Sequence, residues 1–269
     1  MSQWENPPVE HAVNVARGSP HIEFLRLLAG FALVSLLVVA LVWLAGRWLL
    51  LPLVSYERER ALGDWLVPLL VDGDGPAAQR ARLQDLGARL ARHLEIDPRL
   101  PVTVHLSASA EVNAYATFGG HVILTRGLLD AMPSENALAL VLGHELGHVQ
   151  GRHALLAAGN GLMLGLLWSL VSGDLPGGTD AAVQLGHLSF SRDQERAADS
   201  AGLKALRAEY GHAGGAADAF RALARAHAGA SRVPALLATH PGLDERITTM
   251  TAAAAEWDPA RHPLRPKWW

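Results

Sequence analysis

Apolar positions recur along this chain at different periods. From Leu27 to Gly46 they are continuous, and LLAGFALVSLLVVALVWLAG contains no charged residue. About 20 residues at about 1.5 Å each cross a hydrocarbon core of roughly 30 Å, so the run predicts a transmembrane helix. Arg26 and Arg47 bracket it, and Trp43 and Trp48 fall at its C-terminal end, where aromatic rings favour the bilayer interface. A cleaved leader is the competing reading, although the run is long for one and begins far into the chain. Basic residues stand on both sides, Arg17 and Arg26 before it and Arg47, Arg58 and Arg60 after it, so charge assigns no orientation. A second uncharged run, residues 154–171, is interrupted by Asn160 and by glycines. A buried or interface-skimming helix suits it better than a second crossing.

Elsewhere the period shortens. YERERALGDWLVPLL predicts a helix that ends in the turn VDGDGP. Leu83, Leu86, Leu90 and Leu94 recur at helical spacing until Pro98 stops the pattern. PVTVHL alternates as a strand, and EVNAYATF and HVILTRGLL predict a hairpin, with Gly119 and Gly120 supplying the positive φ of a two-residue turn. From Ser134 onward the pattern is helical almost to the end. The expectation is an α+β fold, mainly helical, with a small β-sheet ahead of a helical body.

Composition narrows the chemistry. The 269 residues are half hydrophobic with a formal net charge of −3, which allows one domain plus an appendage and leaves no electrostatic footprint for nucleic acid. There is no cysteine, so disulfides, thiolate metal sites and cysteine nucleophiles are excluded. Any metal must be held by His, Asp or Glu.

VLGHELGHVQ offers such donors. Ser134 is placed to cap the helix that carries it, with Glu135 in the first turn. On that helix His144 and His148 lie one turn apart and project from the same side, so their imidazoles can converge on one ion. Glu145 projects about 100° away, near enough to reach a water on that ion without binding it. A zinc hydrolase requires this arrangement: the metal lowers the pKa of a water, and the carboxylate takes its proton as it attacks a carbonyl. A catalytic zinc also needs a third protein ligand. In SFSRDQERAADSAGLKAL, Glu195 and Asp199 lie four apart on a predicted helix. Glu195 would complete a His-His-Glu set, and Asp199 would accept the second ring N–H of a ligand histidine. Taken alone, the two also read as solvated carboxylates beside Arg192 and Arg196. His153 is expected on the surface of the helix of His148, and His121 and His187 have no ligand spacing.

LGHELGHVQGRH, followed by SRDQERAAD, whose Glu195 lies 47 residues after His148, resembles the membrane-associated gluzincin metallopeptidases of the HtpX and CAAX-prenyl-protease type. The resemblance extends upstream to VNAYATFGGHVILTRGLLD and downstream to THPGLDERI, covering roughly residues 56–250. It implies a zincin-like domain with one Zn2+ per chain on His144, His148 and Glu195, Glu145 as general base and Asp199 behind a ligand. It also implies that the strand of Asn113, Ala114 and Tyr115 pairs with an extended substrate. His240 would face the metal from the opposite wall, stabilising an oxyanion or capping the ion in a closed resting state. A loop histidine with neither role stays open. Members of that type carry several membrane helices, whereas the single clear span here favours a single-pass quality-control or processing peptidase over one for prenylated substrates. Its substrates would be proteins or peptides, such as misfolded membrane or envelope proteins. The chain then divides into a polar tail (1–23), a bilayer anchor (24–53), a zinc metallopeptidase domain (54–255) expected on the extracytoplasmic side, and a C-terminal tail (256–269). A zinc-containing chaperone or assembly factor with a closed, weakly active site is the alternative.

Overall fold

The computed structural model describes residues 19–45, 53–73, 75–159, 161, 188–228, 240 and 243–269. Most of the run 154–171 and the expectations resting on it lie outside them, as do residues 1–18 and His187. Helix α1, Pro20–Ala45, follows the first uncharged run. Of the described residues, those of α1 as far as Leu44 form a unit of their own. The stretch Pro20–Leu41 is long and apolar enough to cross a bilayer, a description that a leader sequence also meets.

The second unit, Ala45–Trp269, is a mainly helical α+β body. Helix α2, Tyr56–Leu70, is capped by the Ser55 hydroxyl, which accepts from the Arg58 backbone N–H. Helix α3, Ala77–His93, buries Leu83, Leu86 and Leu90 at the spacing seen in the sequence, each worth roughly 1.5–3 kcal/mol on burial. Three strands follow, β1 (Thr103–Ser107), β2 (Ala114–Ala116) and β3 (His121–Thr125), in the order β1-β3-β2. β1 runs parallel to β3, with Thr103 opposite His121, and β2 antiparallel to it, with Tyr115 opposite Ile123. The central strand is buried at every position, which accounts for its unbroken apolar run VIL.

The hairpin from β2 to β3 differs in detail from the expected two-residue turn. Gly119 and Gly120 do adopt positive φ, 70° and 83°, but they belong to a 3₁₀ turn, Phe118–Gly120, closed by a Thr117 N–H donating to the His121 carbonyl at 2.9 Å. The reason lies in what the tip touches. Gly119 N–H donates to the Glu59 carboxylate at 3.2 Å, and its carbonyl accepts from Arg60 Nη1 at 2.9 Å, so α2 draws the turn open.

After the short α4 (Arg126–Ala131) come α5 (Glu135–Gln150), α6 (Arg192–Tyr210), α7 (Ala216–Ala228) and α8 (Leu243–Ala253). Ser134 caps α5 as expected, accepting from Ala137 N–H at 3.2 Å. Every residue from Asn136 to Val149 is buried, which makes α5 the central helix of the body. Helix α6 starts in a capping box formed by Ser191 and Gln194. Residues beyond α8 fold back: the Arg265 carbonyl accepts from Glu135 N–H, and Trp269 Nε1 donates to the Leu129 carbonyl at 2.6 Å.

Helices α5 and α6 meet backbone to backbone. A Cβ added to Gly143 would stand 3.1 Å from Gly202 Cα, and one added to Gly147 would stand 2.8 Å from Ala198 Cα and Ala201 Cβ. Gly147→Ala tests this contact. Alanine gains about 1 kcal/mol of helix propensity over glycine, but overpacking against backbone costs about 1–3 kcal/mol. The second term should win, giving a lower urea midpoint; an unchanged or raised midpoint would show that the two helices separate freely.

Candidate metal centre

The close approach of α5 and α6 brings three side chains of HExxH and ExxxD, His144, His148 and Glu195, to face one another. His144 Nε2 and His148 Nε2 lie 3.1 Å apart. Glu195 Oε1 is 3.4 Å from His148 Nε2, and its Oε2 is 3.6 Å from His144 Nε2. His240, just ahead of α8 in sequence, adds a fourth donor, its Nδ1 2.7 Å from Glu195 Oε1 and 3.3 Å from His144 Nε2. All four residues are buried, and their donor atoms fall within 4.8 Å of one another.

A divalent ion fits this set. Donors about 2.0–2.1 Å from a tetrahedral centre stand about 3.3 Å from one another, which is the spacing of the two imidazoles and the carboxylate. Three buried atoms at the cluster, Glu145 Oε1, Glu195 Oε2 and His240 Nε2, have no hydrogen-bond partner among the described residues. Buried polar atoms seldom remain so without a ligand or ordered solvent. Protonation agrees: burial, joined by the Arg246 charge, holds the His144 imidazole well below its usual range, and burial holds His148 down at about 3. Burial alone would raise Glu195, but hydrogen bonds with His148 and His240 prevail and hold its carboxyl below the usual range. Neutral imidazoles and an ionised carboxylate are the forms that bind a metal.

Behind the donors stands a ring of partners. His144 Nδ1 is 2.9 Å from Asp199 Oδ1. Arg246 Nη2 donates to the same oxygen at 2.6 Å and Arg246 Nε to Oδ2 at 2.9 Å, while Nη1 lies 3.2 Å from Glu195 Oε2. Burial still keeps the Asp199 carboxyl above its ordinary value, against the pull of Arg246. The Arg246 guanidinium lies 4.4 Å over the Phe220 ring. His148 Nδ1 is 2.9 Å from His153 Nδ1, and its ring stacks on Phe190 at 4.0 Å. His153 is therefore no surface residue: α5 ends at Gln150, and the chain turns so that the His153 ring is buried beneath the helix end.

Glu145 is completely buried beside the donor set. Its Oε2 accepts the Ala116 N–H at 2.8 Å, and its Oε1 points toward His240 Nε2 at 3.9 Å. Burial, reinforced by Glu195, pushes its carboxyl up to about 6. Ala116 ends β2, the edge strand. The pairs Asn113–Thr125 and Thr117–His121 carry the ladder bonds to β3, so alternation turns the N–H and C=O of Ala114 and Ala116 toward the open edge. Asn113 pairs its backbone with Thr125, and the Tyr115 hydroxyl donates to the Leu70 carbonyl at 3.0 Å, away from the cluster. Arg246, His153, Phe190 and the Ala116 N–H were not singled out from sequence as part of this site. Arg246 does occur in the THPGLDERI element, but no spacing ties it to Asp199.

A helix-borne HExxH with its acid buried, and a carboxylate from a second helix, define a metallopeptidase of the zincin kind. The chain belongs to peptidase family M48, whose model matches residues 77–254, a span that includes the whole cluster. Among its relatives is the beta-barrel assembly-enhancing protease of Yersinia pestis, 30% identical over 231 residues, which are 78% of this chain and 46% of that protein. The putative beta-barrel assembly-enhancing protease of Vibrio cholerae is 31% identical over 193 residues, 66% of this chain and 40% of that protein. Metalloprotease LoiP of Escherichia coli is 31% identical over 156 residues, 54% of this chain and 60% of that protein. The chain thus spans less than half the length of the first two.

Arg246 is the cation that balances two buried carboxylates. In metal-free protein, Arg246→Met should lower stability by about 3–5 kcal/mol, the cost of stranding a buried charge. Urea unfolding in the presence of a chelator measures this; wild-type stability would mean the carboxylates are balanced otherwise.

Proposed function

We propose that the chain is a zinc-dependent endopeptidase in which His144, His148 and Glu195 hold one ion and Glu145 is the general base. The convergence of these buried side chains, with Glu145 Oε1 beside them making no hydrogen bond among the described residues, carries the reading. A divalent ion bound there supplies Lewis acidity, lowering the pKa of a water and polarising a carbonyl. Glu145 takes the proton of the attacking water on Oε1 and returns it to the leaving amine, while the Ala116 N–H keeps Oε2 fixed. Asp199 accepts the Nδ1–H of His144 and so directs its Nε2 to the ion. The outer edge of the strand of Asn113, Ala114 and Tyr115, where Ala114 turns its N–H and C=O outward, pairs with an extended substrate backbone, a sequence-tolerant mode suited to misfolded protein.

His240 supports two readings of the resting state. Its Nδ1 on Glu195 places it within the donor set, where it caps the site until substrate displaces it. A permanently capped site would instead serve a zinc-containing chaperone or assembly factor, the second reading. We further propose α1 as a retained single-pass anchor, residues 54–255 as the peptidase domain, and envelope proteins on the extracytoplasmic side as substrates. The names of the two longer relatives, which refer to assembly of β-barrels, support that choice of substrate. Extraction with alkaline carbonate and mass spectrometry of the mature N-terminus test the anchor: a soluble, shortened protein would overturn it.

Full-length protein in detergent should carry one zinc and cleave an unfolded model protein. Glu145→Gln should keep the zinc and cleave roughly 10²–10⁴-fold more slowly, whereas His144→Ala should lose the metal. Equal cleavage by Glu145→Gln would overturn the peptidase mechanism, and complementation of a deletion phenotype by that variant would favour the assembly factor.

A further inference from the structure

The reading of His144, His148 and Glu195 as ligands leaves His153, a buried group beside them, without a part. His153 lies five residues past His148, beyond the end of α5, yet its Nδ1 is 2.9 Å from His148 Nδ1. A ring that binds a metal through Nε2 must carry its proton on Nδ1. His148 then donates and His153 accepts. His144 is oriented in the same way by Asp199, so the two ligand histidines have different backing, one a carboxyl group and the other an imidazole.

The turn that delivers His153 has features a satisfied core histidine would not need. Gly151 has ordinary helical angles, φ −79° and ψ −3°, so its backbone does not require glycine. What requires it is the His153 ring: a Cβ on residue 151 would overlap His153 Nε2 and stand 2.5 Å from Cδ2. Arg152, next in the chain, has φ 49°, a region that a non-glycine residue enters only when its surroundings hold it there. They do so from three sides. Arg152 Nε donates to Glu59 Oε2 at 2.6 Å, Nη2 donates to the Val54 carbonyl at 2.6 Å, and the guanidinium lies 4.6 Å over the Tyr56 ring. Phe190, stacked on His148 and tilted against His153 with centroids 6.2 Å apart, closes the other side.

We propose that His153 is a positioning residue for the metal: it accepts the Nδ1–H of His148, committing Nε2 to the ion, and the Gly151–Arg152 turn, clamped by Glu59, holds it there. This rests on His148 being a ligand. Loss of such a partner typically weakens metal affinity roughly 10–100-fold.

The test is metal binding by the full chain in detergent, stripped with a chelator and titrated with Zn(II) in competition and with Co(II) by visible absorption. Circular dichroism and the urea midpoint of each metal-free form report folding. His153→Phe, which keeps the ring but not the acceptor, should bind zinc roughly 10–100-fold more weakly and shift the Co(II) d–d bands. His153→Asn, whose amide oxygen takes the place of Nδ1, should recover most of the affinity and the wild-type spectrum. Gly151→Ala should reproduce the defect with His153 intact, and it carries the test together with His153→Asn if His153→Phe does not fold. Wild-type affinity and spectrum in His153→Phe or in Gly151→Ala would overturn the inference. No metal binding by wild-type protein, or unchanged binding by His148→Ala, would instead overturn the assignment of the ligands.

Discussion

The approach of α5 to α6 is the constraint on which the rest depends. An ion of about 2 Å reach needs donors from both helices within a few ångströms, and helices separated by ordinary side chains pack at about 8–10 Å. Gly143 and Gly147 on α5 meet Ala198, Ala201 and Gly202 on α6, so no side-chain layer keeps the backbones apart. Each glycine of α5 precedes a histidine, and Gly202 follows Asp199 by three residues. The same turns that bring the helices together therefore carry the polar groups. The glycines sacrifice some helix propensity, about 1 kcal/mol each, and burial of the whole of α5 from Asn136 to Val149 offsets it.

Around that contact the polar groups form chains that lead outward to different elements. One runs from His144 through Asp199 to Arg246 on α8. Another runs from His148 to His153, whose neighbour Arg152 is held by Glu59 on α2. The Glu59 carboxylate also accepts from Gly119 at the hairpin tip, so one acid ties the end of α5 to the loop that sets β2 against β3. Buried polar networks of this kind are stabilising when satisfied and costly when interrupted. The buried atoms that make no hydrogen bond among the described residues, on Glu145, Glu195 and His240, gather where the chains meet.

What sequence shows and what it hides separate along physical lines. Period-based features survived well: the leucine stripe of α3, the Ser134 cap, the central strand and the two histidines one turn apart all appear where spacing put them. Each depends on residues close in the chain. The hairpin was read in kind but not in length, because contacts from α2 reshape its tip. His153 departs from the surface position that periodicity predicts because the helix stops at Gln150, and the positive φ of Arg152 that follows has no signature in a non-glycine residue. Arg246 is 47 residues from Asp199 and shares a pocket with it only in the fold.

The bond from Ala116 to Glu145 has a consequence of another sort. Its donor is a peptide N–H, which every residue except proline possesses. Position 116 can therefore drift among small side chains while the carboxylate stays anchored, and no motif would record that the anchor exists. The strand offers its neighbouring groups along the same rim, so a slip of β2 by one residue would displace the acid and reverse the rim together. Register here acts as a gauge, making the place where a chain can lie down and the place where a proton can be taken a single dimension of the molecule.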